Sequence, residues 1–200
     1  MIHPIETESY RILGTRVNLS HLDPGPRAVV ERVIHASADP EFATSMIVDD
    51  TAVDAGVRAL CAGAPVVCDV EMVRHGIRGA AIECFLPDEA ATDEREHTRA
   101  VLGMRAAAAR HPAGVIVVVG CAPTALDEVL NLAARDALDP ALVVGMPVGF
   151  VGAAEAKARL RASGLPAISN VGEKGGSAVA AAAVNALVRI AGQSPERNTP

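Results

Sequence analysis

A histidine and an arginine stand three residues apart in the segment ERVIHAS, residues 31–37. In a helix this spacing puts Arg32 and His35 on one face, because residues three apart are neighbours on the helix surface. A histidine can give and retake a proton near neutral pH, and an arginine beside it can hold an anion. The pair indicates acid–base chemistry on an anionic ligand, with a purely structural histidine as the alternative.

Three apolar segments each run through small residues into the start of a helix. They are VVVGCAPTALDEVL (117–130), ALVVGMPVGFVGAAEAKARL (141–160) and AISNVGEKGGSAVAAAAVNALV (167–188). In a parallel sheet such strand ends meet at one edge, where ligands bind. Gly175, Gly176 and Ser177 precede the last helix, and their backbone N–H groups suit a phosphate or carboxylate oxygen. A plain tight turn is the alternative.

Several classes of function lack their sequence signals. VVVGCAPTA has neither the second nor the third glycine of G-x-G-x-x-G, and no G-x-x-x-x-G-K-[ST] occurs, so a nucleotide-dependent enzyme is only a third hypothesis. No G-x-S-x-G supports Ser-His-Asp chemistry. A net charge of −6 and only one tyrosine, three phenylalanines and no tryptophan predict no nucleic-acid partner.

Metal, disulfide and membrane signals are also missing from the sequence. Cys61, Cys68, Cys84 and Cys121 form no C-x-x-C pair, so we expect neither a zinc site nor a disulfide framework. No apolar run reaches the roughly 18 residues that cross a bilayer. The segment MIHPIETESY is polar and acidic, which predicts no signal peptide, no membrane partner and a cytoplasmic location.

Apolar segments alternate with helical patterns along the chain. Strands are predicted at 44–48, 64–70, 115–119, 141–145 and 167–171, and a strand or an extended segment at 79–86. Helices are predicted at 6–17, 26–39, 51–63 (capped by Asp50 or Thr51), 88–111, from Pro123, from about Val151, and at 178–191. Strands that are apolar throughout predict a mainly parallel sheet covered on both faces. We expect one three-layer α/β/α domain over residues 1–200, with 191–200 as a frayed tail.

Seven motifs occur in order along the chain: ESYRIL, ERVIHAS, AGAPVVCDVEMVRHGI, HTR, VGCAPTAL, GMPVGFVGAAEAK and GEKGGSAVAAAAVNAL. Taken together they resemble those of the precorrin-8X methylmutase family, and the likeness runs from about Glu6 to Leu187. The resemblance implies an α/β three-layer fold that forms a homodimer. It also implies an isomerase of cobalamin biosynthesis that moves a methyl group from C11 to C12 of a corrinoid ring. No separate cofactor is expected.

The resemblance assigns roles to particular residues. The family's catalytic histidine falls on His35, and its substrate-contacting arginine and N-terminal serine fall on Arg32 and Ser9. The family's Thr-Arg pair falls on Thr98 and Arg99. The full set of predicted substrate-binding residues is Ser9, Arg32, Thr98, Arg99, Thr124, Gly175, Gly176 and Ser177.

Four positions depart from the family's usual motifs. Cys121 replaces an asparagine, Ala156 and Ala100 each replace a serine, and Glu173 replaces a basic residue. We interpret these as losses of polar groups near the ligand edge. They keep open a second hypothesis, a divergent corrinoid-binding paralogue without catalysis. The sequence does not distinguish a metal-free substrate from one that contains cobalt.

Overall fold

The computed structural model describes residues 4–88 and 97–193. The helices are α1 (Pro4–Arg16), α2 (Pro24–Ser37), α3 (Phe42–Ser45), α4 (Asp50–Cys61), α5 (Glu71–Gly76), α6 (Arg99–Arg110), α7 (Pro123–Ala134), α8 (Ala153–Ala162) and α9 (Ser177–Gln193). The strands are β1 (Met46–Ile47), β2 (Val66–Cys68), β3 (Ile82–Cys84), β4 (Ile116–Val119), β5 (Leu142–Gly145) and β6 (Ala167–Asn170). Within these residues, no helix is long and apolar enough to span a membrane.

The strands form one sheet in the order β1-β6-β5-β4-β2-β3. All neighbours are parallel except β1, which runs antiparallel to β6. In the register, Val144 of β5 pairs with Val118 of β4 and with Ile168 of β6. The carboxyl ends of β2, β4, β5 and β6 therefore meet at one edge, as the strand-end motifs predict.

Helices cover both faces of the sheet. Alternate residues of β4 enter different cores: Ile116 and Val118 join the first, and Val117 and Val119 join the second. The first core is closed by α1 to α5 and α9, and the second by α6, α7 and α8. This arrangement confirms the predicted α/β/α fold with a mainly parallel sheet.

Several predicted boundaries were wrong by a few residues. The cap of α4 is Asp49, whose Oδ1 accepts from the Ala52 N–H at 2.8 Å and from the Thr51 hydroxyl at 2.7 Å. Residues 44–45 end a helical turn, so the predicted strand at 44–48 shortens to β1. At the other end, α9 continues to Gln193, so residues 191–193 are helical rather than frayed.

The helix predicted over residues 88–111 begins at Arg99 in the described part of the chain. Thr98 caps it, because its hydroxyl oxygen accepts from the Val101 N–H at 3.4 Å. Residues 89–96 of that prediction, and residues 194–200 of the predicted tail, lie outside the described residues.

Candidate active site

His35 lies in the last turn of α2, and two side chains of α1 contact its ring. The Ser9 hydroxyl is 2.8 Å from His35 Nδ1. The Tyr10 ring stacks on the imidazole with a centroid distance of 5.1 Å and an interplanar angle of 15°. Because Nδ1 is engaged by Ser9, Nε2 is the ring nitrogen that can exchange a proton with a ligand.

One cavity is lined by His35, and a second, larger cavity adjoins it. The smaller, of about 100 Å³, is lined by Ser9, His35, Arg16 and Pro40 among others. A larger cavity of about 690 Å³ shares Arg16, Val17 and Pro40 with it. Ligand cavities commonly measure about 300–1,000 Å³. The larger cavity falls in this range, whereas the smaller one alone is too small for a ligand of that size.

Arg32 is held by a carboxylate of the same chain. Its Nη1 is 2.9 Å from Glu6 Oε1, and Arg189 Nη1 approaches the same oxygen at 3.4 Å. Arg32 and Arg189 also line a cavity of about 260 Å³ together with Tyr10. A ligand carboxylate that binds Arg32 must therefore compete with Glu6 or share the arginine with it.

Thr98, Thr124 and Arg99 form a second group, at the starts of α6 and α7. The hydroxyl oxygens of Thr98 and Thr124 are 2.9 Å apart, which joins the two helix N-termini. Arg99 donates from Nε and Nη2 to the Pro87 carbonyl at 2.8 and 2.6 Å. These helices cover the second face of the sheet, whereas α1 and α2 cover the first.

Gly175, Gly176 and Ser177 lie at the edge of the sheet, in the connection from β6 to α9. A Cβ on Gly175 would come within 2.4 Å of the carbonyl oxygens of Met146 and Pro147. Gly176, with φ of 124°, donates its N–H to the Met146 carbonyl at 2.8 Å. The glycines therefore allow the two backbone segments to approach closely. The sequence pattern had left this segment open between a tight turn and an anion site.

Asp69 follows β2 and shapes the turn after β4. Its carboxylate accepts from the N–H groups of Gly120, Cys121 and Ala122 at 3.0, 2.8 and 2.9 Å. Burial raises the pKa of Asp69, and the three N–H donors oppose that rise. These contacts make Asp69 an organiser of the turn that leads to Thr124.

Lys157 was missed by the sequence reasoning. It lies in α8, is 0% exposed, and donates to Asn170 Oδ1 at 3.2 Å and to the Lys174 carbonyl at 2.5 Å. Burial, with a smaller effect from Arg161, lowers its pKa to about 8. A signal was available in the composition, because Lys157 and Lys174 are the chain's two lysines among 18 basic residues.

Two of the four departures do not lie where we expected. Ala156 is fully buried in the second core, and Ala100 is buried in the same core. A serine hydroxyl at either position would face apolar neighbours rather than the ligand edge, so that part of the interpretation was wrong. Cys121 and Glu173 are exposed at the sheet edge.

Sequence comparison decides the family. The pattern that defines precorrin-8X methylmutase matches residues 4–190. The chain belongs to the precorrin-8X methylmutase family. It is 40% identical over 183 residues to the cobalt-precorrin-8 methylmutase of Methanocaldococcus jannaschii, covering 90% of this chain and 86% of that one. It is 37% identical over 194 residues to the precorrin-8X methylmutase of Pseudomonas aeruginosa, covering 92% and 93%.

Comparison of structures agrees with the family assignment. The precorrin-8x methyl mutase of Thermus thermophilus superposes with a TM-score of 0.83 at 38% identity, covering 94% of this chain and 95% of that one. The described residues of the present chain contain no group of three or more His, Cys, Asp or Glu side chains placed to hold a metal ion.

Proposed function

We propose that this chain is an isomerase of cobalamin biosynthesis that moves a methyl group from C11 to C12 of precorrin-8X or its cobalt form, with His35 as its acid–base. Membership of the methylmutase family supports the reaction. The observation that carries the role of His35 is its 2.8 Å contact with Ser9, together with the stacked Tyr10 ring.

A methyl shift around a conjugated ring needs a change in electron demand rather than a nucleophile. A proton given to the ring draws electron density from the carbon that receives the methyl group, and positioned acid–base catalysis contributes about 10²–10⁴-fold. When Ser9 accepts from Nδ1–H, the exchangeable proton of His35 is on Nε2. The step moves one methyl group and returns one proton, so we propose no redox cofactor.

The remaining rate enhancement comes from the shape and charge of the pocket, which must favour the rearranged ring over the substrate. Corrinoid precursors carry acetate and propionate groups on the ring periphery, and these need donors. We propose Arg32, Arg99 and the hydroxyls of Thr98 and Thr124 as side-chain donors, and the N–H groups of residues 175–177 as backbone donors. Some of these groups already have partners, as Arg32 has in Glu6.

We propose that the site is completed by a second copy of the chain in a C₂ homodimer. His35 and the Thr98–Thr124 pair lie on helices at opposite faces of one sheet, so a single flat ligand reaches both groups more readily across two subunits. Phe150 and Val151, near the sheet edge, are 91% and 87% exposed. Large exposed apolar side chains mark surfaces that associate. A single domain and a cytoplasmic location stay predictions.

The direct test is conversion of precorrin-8X and, separately, of its cobalt form, followed by the absorption spectrum. We expect turnover of at least one substrate, and His35→Ala should lower kcat by about 10²-fold or more while binding of the corrinoid persists. Ser20→Ala, at an exposed position outside the site, is the control. Binding without turnover in the unmodified protein would instead identify the non-catalytic paralogue. The observation that favours this second hypothesis is that Cys121 and Glu173, which depart from the family's motifs, are exposed at the sheet edge.

A further inference from the structure

The chain uses lysine only at positions 157 and 174, against sixteen arginines. The two lysines are in direct contact: the buried Lys157 ammonium donates to the main-chain carbonyl of Lys174 at 2.5 Å. An arginine at position 157 would bring a planar guanidinium with five donors into a space that offers two acceptors. A compact ammonium fits this position.

Lys157 and Asn170 together hold the connection between β6 and α9. Lys157 donates to Asn170 Oδ1, and Asn170 Nδ2 donates to the carbonyls of Lys174 and Val171 at 2.7 and 3.2 Å. The Lys174 carbonyl thus accepts from two buried side chains. The following residue, Gly175, packs on the backbone of the connection after β5.

The side chain of Lys174 extends the link to the helix that carries His35. Lys174 Nζ is 2.7 Å from Asp39 Oδ2 and 2.6 Å from Glu41 Oε2. Asp39 lies four residues after His35, just beyond the end of α2. We call the set of Lys157, Asn170, Lys174, Asp39 and Glu41 the lysine brace.

We propose that Lys157 and Lys174 are positioning residues for the methyl migration, because the lysine brace fixes the 171–177 connection relative to His35. This inference rests on the proposed function. Neither lysine needs to touch the reacting ring. A displacement of about 1 Å at a distant support can lower a rate by about 10²-fold, so the brace can matter without contact.

The partners of Lys157 favour positioning over stabilisation. A buried ammonium is costly unless it is paired, and the hydrogen-bond acceptors of Lys157 are an amide and a carbonyl oxygen rather than a carboxylate. Replacing a buried charge by an apolar side chain of similar volume is often neutral or stabilising. An apolar residue would therefore serve a purely structural role as well as lysine does.

The experiment compares Lys157→Met, Lys174→Met and the double variant in steady-state kinetics with thermal melts. We expect each variant to lower kcat by about ten- to hundredfold with a smaller change in KM. The double variant should be no slower than the slower single variant, because both changes release the same connection. Arg159→Met is the matched control, since it removes an exposed cation from the same helix; its kcat should stay within about twofold.

Folded variants at positions 157 and 174 whose kcat and KM stay within twofold of the unmodified protein overturn the proposal. Additive losses in the double variant also overturn it, because they would mean two separate roles. If Lys157→Met does not fold, Lys174→Met alone decides, because that side chain is half exposed. If the unmodified protein shows no turnover, the proposed function fails. The brace is then judged by the Kd for hydrogenobyrinic acid, the metal-free product of the proposed methyl shift. Both variants should raise this Kd by a similar factor.

Discussion

At the scale of single residues, contacts that are distant in sequence give His35 its environment. Ser9 and Tyr10 come from α1, and Ser9 precedes His35 by 26 residues; the two side chains fix the ring through one hydrogen bond and one stacking contact. Arg32 shares the helix face of His35 as its spacing predicts, yet its guanidinium is paired with Glu6. Spacing within a helix therefore predicted that the two residues share a face, but it did not predict their partners.

The buried ammonium of Lys157 makes stability depend on pH. Its folded pKa of about 8 lies below the ordinary lysine value of 10.5. The unfolded chain therefore binds more protons between these values, and the free energy of unfolding should rise with pH through that window. Relative to its value below about pH 8, the free energy of unfolding should be higher by about 3 kcal/mol above about pH 10.5. This gain is lost as the pH falls from about 10.5 to about 8.

This prediction can be measured by denaturant unfolding of the unmodified protein and of Lys157→Met at pH 7.5 to 10.5. The difference between the two free energies of unfolding should change across this range. For Arg159→Met, the free energy of unfolding should change with pH in the same way as that of the unmodified protein. Because the chain has two lysines, ¹³C-lysine NMR gives each titration separately. A titration of Lys157 at the ordinary lysine value would contradict the prediction.

At the scale of elements, the predictable parts are those with a continuous apolar pattern. β2, β4 and β5 are buried along their whole length, so their sequences alone indicate strands of a covered parallel sheet. β1 could not be predicted at its true length, because local backbone bonds to the Glu41 carbonyl form a helical turn over part of the apolar segment.

Candidate residues could be named from the sequence, but the contacts that position them could not. The N–H groups that bind Asp69 lie more than fifty residues further along the chain, and no local pattern records such a distance. The contacts of Lys157 with Asn170 and Lys174 are likewise absent from any local pattern, because the sequence of its helix is that of an ordinary alanine-rich helix. Long-range polar contacts are what the sequence pattern could not supply.

The close backbone approach at Gly175 gives a prediction for the loop. Gly175→Ala should force the 171–177 connection away from Met146 and Pro147, because the added Cβ would meet two carbonyl oxygens that cannot rotate away. We expect a loss of about 1–3 kcal/mol in the free energy of unfolding and a lower kcat. Urea unfolding with parallel kinetics measures both.

Gly14→Ala is the control for that substitution. Gly14 lies in the last turn of α1, and a Cβ there would meet no atom within 4 Å. Alanine in an open helical position should stabilise by about 0.5–1 kcal/mol. Equal stability effects at positions 14 and 175 would mean that the connection adjusts freely and that Gly175 is an ordinary turn residue.

At the scale of the whole molecule, the proposed ligand groups are divided between the two faces of the sheet. Helices α1 and α2 present Ser9 and His35, whereas α6 and α7 present Thr98 and Thr124. The connections at the sheet edge are short. A wide ring with carboxylates around its rim therefore calls for walls from a second body, and a C₂ dimer is the commonest way for a chain to supply one.

A mixed dimer tests this arrangement directly. Dimers of His35→Ala and dimers of Arg99→Leu should each lose most of their turnover, because every site then lacks one of the two residues. If each site takes His35 from one chain and Arg99 from the other, a mixed dimer holds one site with neither substitution. Random mixing makes about half of the dimers mixed, and each mixed dimer has one intact site of two, so turnover should recover to about a quarter of the unmodified level.

The measurement is turnover after unfolding and refolding an equimolar mixture of the two variants. Light scattering at micromolar concentration counts the subunits, and thermal melts check that Arg99→Leu folds. Two results would contradict the shared site: a monomer that turns over substrate, or mixed dimers that recover nothing. The second would mean that each chain brings His35 and Arg99 to the same ring.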